Sequence, residues 1–239
     1  MRKGVLISAL AATAMFSAVS TASALPNGGF EQGSLSGWGY RTLECQLVVS
    51  GSANASGLVQ PSSWWVYGSG ASLAPEYGGA TLPDPKGAYA AAFIQSSASW
   101  GILHRSFRVP RKARSLRLRL FWVNQSGGPM SSSTRGAAET GVWTAHSNSR
   151  VGCPSQPSTQ YARVDLLRSG AAPRSLKKKD IRATIWRSVP GRTQPNSGGW
   201  VTLSSSLKKF RGDRVRLRIA VIDTLSYLNI GVDGVEIRE

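Results

Sequence analysis

Two stretches of this chain alternate without a break. Residues 115–123 read Ser-Leu-Arg-Leu-Arg-Leu-Phe-Trp-Val, and residues 214–222 read Arg-Val-Arg-Leu-Arg-Ile-Ala-Val-Ile. A side-chain period of two belongs to a β-strand, whose successive residues point to opposite faces. Each stretch therefore sends its aliphatics into a core and its arginines (Arg117 and Arg119; Arg214, Arg216 and Arg218) toward water. Further strand-like runs cover 44–49, 64–67, 88–94, 102–109, 161–167, 183–186, 200–203 and 228–237, with Gly, Pro, Ser and Asn clustered between them. No stretch of a dozen residues has helical periodicity, and residues 206–210 suit one helical turn stopped by Gly212. Many short strands with two faces of different polarity predict an all-β sandwich or barrel.

The N-terminus carries a targeting pattern. Arg2 and Lys3 precede a short apolar stretch, and Ala22-Ser23-Ala24 supplies a small-x-small cleavage site. Residues 1–24 are thus expected to be a signal peptide, leaving 25–239 as one secreted domain. The apolar stretch is too short and too broken by Ser8 and Thr13 for a membrane span, and no later segment is apolar enough. Two cysteines, Cys45 and Cys153, form an even pair. In an oxidising compartment they suit one disulfide, the alternative being two separate buried thiols. Residues 124–159, rich in Ser, Gly and Thr, read as a long functional loop or an insertion.

Charge is unevenly spread. The formal net charge is +17, or +15 without Arg2 and Lys3, and the excess lies almost wholly after Trp100. Such a field attracts polyanions; a solubilising surface is the alternative. Catalytic inventory is thin. Glycoside hydrolysis needs two carboxyl groups flanking one bond, and most of the 12 acids are scattered among basic strands. His104 sits beside Arg105, which disfavours a protonated base, and neither His104 nor His146 has a Gly-x-Ser-x-Gly partner. The chain therefore reads as a non-enzyme. No nucleic-acid-binding motif accompanies the charge, so no specific nucleic-acid partner is expected.

The opening Asn27-Gly28-Gly29-Phe30-Glu31-Gln32-Gly33-Ser34-Leu35-Ser36-Gly37-Trp38 resembles the first strand of carbohydrate-binding jelly rolls of the galactose-binding-like type. Gly231-Val232-Asp233-Gly234-Val235 resembles their closing strand. Gly199-Trp200 with Leu203 and Leu207, Gly87 to Phe93, and Phe107-Arg108-Val109-Pro110 fit strands between. The resemblance implies a two-sheet antiparallel jelly-roll β-sandwich with its ends side by side. It also implies a structural calcium ion between first and last strands, with Glu31 and Asp233 as carboxylate ligands. A calcium site needs six to eight oxygens; the other reading is that both acids cap turns or pair with basic residues.

Sugar recognition stacks apolar sugar faces on aromatic rings. Trp64, Trp65 and Tyr67 follow a Pro-Ser-Ser turn, Trp100 lies between Ser99 and Gly101, and Trp143 lies in the long loop. These are the candidate ligand-binding aromatics, against the alternative that they pack beneath loops. Trp38, Trp122 and Trp200 fall at core positions. Arg117, Arg119, Arg214, Arg216 and Arg218 are candidate polyanion contacts and form one ladder if their strands are neighbours; otherwise they are a solvated face. The expected function is secreted, non-catalytic binding of a polysaccharide or anionic cell-surface polymer. The alternative is an extracellular structural or adhesion protein whose basic face holds polyanions without sugar specificity.

Overall fold

The computed structural model describes residues 22–44, 63–73, 81–95, 99–124, 129–131, 160–189, 191–223 and 228–239. The chain forms two antiparallel sheets packed face to face as a jelly-roll sandwich. Its strands are β1 (Ala22–Ala24), β2 (Gly39–Glu44), β3 (Ser63–Gly68), β4 (Tyr89–Ile94), β5 (Ser99–Arg108), β6 (Ser115–Asn124), β7 (Met130–Ser131), β8 (Gln160–Arg168), β9 (Ile181–Arg187), β10 (Thr193–Gln194), β11 (Val201–Ser206), β12 (Arg214–Asp223) and β13 (Leu228–Arg238). Sheet I runs β11-β6-β13-β4-β3, with β1 also paired to β13, and sheet II runs β2-β5-β12-β8-β9. Strands β7 and β10 form a separate two-stranded ribbon. Among the described residues there is no α-helix, only a single 3-10 turn at Lys208–Phe210, and no helix is long and apolar enough to cross a membrane.

The alternation read from the sequence sets the core. Leu116, Leu118 and Leu120 of β6 meet Val215, Leu217, Ile219 and Val221 of β12 across the sandwich, all fully buried. Burying one such side chain is worth roughly 1.5–3 kcal/mol. Gly101 of β5 is one point of closest approach. A Cβ there would stand 2.3 Å from the Phe93 ring of β4, so only glycine leaves room for that ring.

Two sequence expectations need correction. The opening motif is not a strand. Residues 26–33 turn repeatedly, with Asn27 and Phe30 at positive φ. The Asn27 amide ties this turn together by donating to the carbonyls of Ser34 and Ser36. Its ends do meet as expected, since Val235 N donates to Gly28 O at 3.0 Å. The second correction concerns the arginine strands. β6 lies in sheet I and β12 in sheet II, so Arg117 and Arg119 face away from Arg214, Arg216 and Arg218 on the opposite side of the sandwich. The five arginines form two separate faces, not one ladder.

The cleavage tripeptide Ala22–Ala24 is β1, paired with Glu236–Arg238 of β13; the rest of the expected leader lies outside the described residues. So do Cys45, Cys153, Trp143 and most of the 124–159 loop, together with the second part of the strand expected over 44–49.

A bulge in β13 decides which face its last residues take. Asp233 pairs with Arg119 and Glu236 with Arg117, so two residues of β13 oppose Leu118 alone. Gly234 takes φ +56 there, a left-handed conformation that glycine adopts at no steric cost. The extra residue resets the alternation. Val232, Val235 and Ile237 all reach the core, while Asp233 and Glu236 both stay on the arginine side.

Candidate functional site

The outer face of sheet I is built from cross-strand rows. One row is Trp65, Ala92, Gly231 and Phe121, on four successive strands. Phe121 lies over Gly231, where a Cβ would stand 2.0 Å from its ring. Trp200, just before β11, meets Phe121 edge-on at 4.9 Å. The next row contains Tyr67 and Ala90 and, across β13, Asp233, Arg119 and Thr202. A third joins Glu236, Arg117 and Ser204.

The middle of this face is covered. Leu73 and Leu82, from segments linked by a Ser72–Thr81 bridge, pack on Tyr67, Ala90, Ala92 and Phe121. The segment after Leu82 then straps across the sheet. Tyr67 Oη donates to Pro83 O at 2.9 Å, and Trp200 Nε1 donates to Asp84 O at 2.7 Å. Lys86 N donates to Asp233 Oδ2 at 2.8 Å. Burial pushes the Tyr67 phenol well above its ordinary range, with the nearby Asp233 charge adding to the effect; it is a fixed donor.

Beyond the strap the face opens into a depression of about 390 Å3 lined by Pro85, Lys86, Arg117, Arg119, Thr202, Gly234 and Glu236. Its arginines are held. Arg119 Nη1 stands 3.3 Å from Asp233 Oδ2 while its guanidinium covers the Trp200 ring at 4.8 Å. Arg117 approaches Glu236 at 3.9 Å, and Glu236 also accepts from Arg238 at 2.7 Å. On the far side of the strap, Trp65 is 41% exposed.

Glu31 and Asp233 also converge. A Cβ on Gly29 would lie 3.2 Å from Glu31 Oε1 and 3.7 Å from Asp233 Oδ1, and one on Gly87 would stand 2.0 Å from Glu31 Oε1. Glycines thus make room for two facing carboxylates. Burial raises the Asp233 carboxyl first of all and the Glu31 charge adds to that, against the lowering effect of the Lys86 and Gly234 amides and of Arg119. Glu31 Oε2 accepts from Ala88 N at 2.8 Å. The described residues contain no cluster of three or more His, Cys, Asp or Glu side chains. The pair therefore fits a cation only if backbone oxygens complete the set.

The other candidates divide. Trp64 points inward, 4% exposed, and packs on Phe93 at 5.7 Å. Trp100 lies on the outer face of sheet II against Ile102, Tyr161, Ala220 and Ile222, a whole sandwich away from Trp65. Arg214 is exposed. Arg218 is fully buried: Nη2 stands 2.5 Å from Asp165 Oδ2, and Nη1 donates to Pro173 O and Ser175 O, each at 2.8 Å. It fastens the β8–β9 loop to the sheet and is closed to any ligand. Trp38 and Trp122 are buried as expected. Trp200 is not core; it flanks the depression. Its signal was the preceding Ser197-Gly198-Gly199, whose two glycines take φ +64 and +131 and deliver the indole at the mouth of a strand.

No protein-family model matches the chain, and no curated protein matches it. Several solved structures are similar. One is TmCBM61 in complex with beta-1,4-galactotriose, at 13% identity and TM-score 0.42, covering 90% of this chain and 97% of that one. A second is the K3 cleaved adhesin domain of Lys-gingipain from Porphyromonas gingivalis W83, at 12% identity and TM-score 0.46, covering 92% and 98%. A third is the xylan-binding domain from CBM 22, at 15% identity and TM-score 0.36, covering 88% and 90%. At these identities and scores the likeness assigns no ligand to this chain.

Proposed function

We propose that this chain is a secreted, non-catalytic binding protein that holds a polysaccharide or surface glycopolymer in the depression on the outer face of sheet I. The observation that carries this reading is Arg117, Arg119 and Glu236 lining an open depression, Arg117 paired with Glu236 and Arg119 held from beneath by Asp233 while it covers the Trp200 indole. Guanidinium and carboxylate groups held side by side offer fixed donors and acceptors to neighbouring hydroxyls. The aromatic flank supplies an apolar sugar face with its partner. Catalysis finds little support: Asp165, Asp213, Asp233 and Glu236 are all ion-paired. Burial, with Arg216 and Arg41 nearby, lowers His104 to about 4, which makes it a weak base at neutral pH.

A glycan array and a polysaccharide pull-down test the reading. Wild-type protein is expected to retain a neutral polysaccharide at high salt, and Trp200→Ala and Arg117→Ala are each expected to weaken that binding about tenfold. An array with no binder beyond bulk charge overturns it.

We further propose a structural calcium ion at the Glu31–Asp233 pair. Bound there, calcium would supply charge compensation and clamp the Asn27–Gly33 turn to β13.

A further inference from the structure

The two arginine-bearing faces differ in charge compensation. On sheet I each arginine has its acid. On sheet II, among the described residues, no outer position of β2, β5 or β12 carries one. The nearest acid on that face, Asp165 of β8, is spent on Arg163 and Arg218. What remains is a cluster on three adjacent strands. His104 of β5 stands between Gly39 of β2 and Arg218 of β12 in one cross-strand row. Arg41 and Arg216 flank that row on opposite sides, Arg41 in register with Ile102 and Arg216 with Ser106. Gly39 is required because a Cβ would stand 2.5 Å from the His104 ring, so the imidazole lies against the β2 backbone. Arg216 Nε donates to Ser106 Oγ at 3.1 Å and its Nη1 to Ala171 O, which holds the guanidinium in place. Arg41 is exposed, as are Arg108 and Arg214 further along the same face.

We propose that Arg41, His104, Ser106 and Arg216 form an anion subsite on the outer face of sheet II that takes the acidic group, carboxylate or sulfate, of an acidic polysaccharide. Arginines read such oxygens through paired N–H donors. Burial lowers Arg216, and burial first, then Arg216 and Arg41, lowers His104. Among the described residues no free carboxylate offsets this positive field, and an anion relieves it. The rings on or beside these strands are the 52% exposed Tyr40 and the half-buried Trp100, whereas single-stranded nucleic acid is held by a run of rings under successive bases, so polysaccharide is favoured. The choice of polymer rests on the sugar-binding reading above; the subsite itself lies on the opposite side of the sandwich.

The test is direct binding of the full chain to polygalacturonate, dextran sulfate, neutral dextran and single-stranded DNA at one moderate salt concentration. Arg41→Glu is expected to weaken binding to the two acidic polysaccharides about tenfold, with Arg41→Lys losing less than Arg41→Glu because it keeps the charge but not the paired donors. Arg216→Gln is expected to act in the same direction. Arg41 is exposed, so its variants should fold, and a thermal melt checks this. A loss smaller than twofold for Arg41→Glu on both acidic polymers overturns the subsite. Equal affinity for DNA, lost equally on Arg41→Glu, overturns the choice of polysaccharide. The two proposals fail separately: Trp200→Ala bears on the sheet I reading through neutral glycans and leaves the Arg41 effect intact. If Arg41→Glu acts while Trp200→Ala does nothing, the sheet I reading falls and this one stands.

Discussion

Arg218 and Asp165 are joined by a completely buried ion pair, 2.5 Å between Nη2 and Oδ2, on the face of sheet II that the β8–β9 loop covers. Arg163 holds the same carboxylate at 2.6 Å, and Thr184 Oγ1 donates to its other oxygen at 2.9 Å. One acid thus serves two guanidinium groups. Removing a single partner of a buried pair leaves an uncompensated charge, at a cost of about 3–5 kcal/mol. Asp165→Ala is therefore expected to lower the stability of the chain by at least that range, measured by denaturant unfolding. Unchanged stability would show that the carboxylate does not hold the loop.

Gly231→Ala is expected to cost about 1–3 kcal/mol through overpacking. The new methyl would stand 2.0 Å from Phe121, whose ring also carries Trp200. The fluorescence of Trp200 should shift with the change in unfolding midpoint, because the displaced ring is its edge-on neighbour.

Acid should destabilise the fold through His104. Its folded pKa is near 4 against an ordinary 6.5, and the causes are burial, then Arg216, then Arg41. The folded state therefore binds fewer protons than the unfolded state between those values. Stability contributed by the neutral imidazole is complete above the unfolded value and is lost as pH falls from about 6.5 toward 4. Arg41, Arg216 and Arg218 are the charged side chains facing it from the flanking strands. His104→Gln is expected to lose less melting temperature than wild type over that window; parallel curves would refute the assignment.

Glu236 is expected to decide what the sheet I depression prefers. It holds Arg238 at 2.7 Å and approaches Arg117 at 3.9 Å. Glu236→Gln should release both arginines and turn a salt-tolerant sugar site into a salt-sensitive anion site. Pull-down on neutral and acidic polysaccharides across a salt series reads this directly.

Calcium is expected to raise the melting temperature of wild-type protein and to leave Glu31→Gln unmoved, by thermal shift with and without chelator. Binding to the native state alone stabilises by mass action. An equal response in both proteins removes Glu31 from the site.

Much of this fold is legible in the sequence because period-two alternation survives in the strands that matter. Both arginine strands and β3, β4, β5, β8, β9, β11 and β13 fall where the pattern puts them. Alternation tells which face a side chain takes but not what lies over that face. Arg218 reads like Arg214 in the sequence; the β8–β9 loop buries one and leaves the other in water. Likewise nothing local assigns β6 and β12 to different sheets, since strand order depends on pairings distant in sequence. Trp65 is legible as an exposed ring, whereas its neighbour Trp64 alternates into the core. The opening motif misleads because Asn27 and Phe30 adopt positive φ, which non-glycine residues rarely do. Trp200 reads as core because it falls in a strand-like signature position, although the indole precedes the strand Val201–Ser206.

The extra residue at Gly234 has a consequence for how this chain can change. Asp233 and Glu236 are three apart, while their partners Arg119 and Arg117 are two apart. The register therefore works like a vernier, with one strand counting an additional division. Deleting Gly234 would remove that division: Val235 would then oppose Leu118 alone, and Asp233, Val235, Glu236 and Ile237 would fall into plain alternation with both acids still opposite their arginines. What would go is the left-handed kink at Gly234, which bends the strand where it lines the depression. The fold and its two ion pairs therefore tolerate loss of the extra residue, whereas the shape of the depression depends on it.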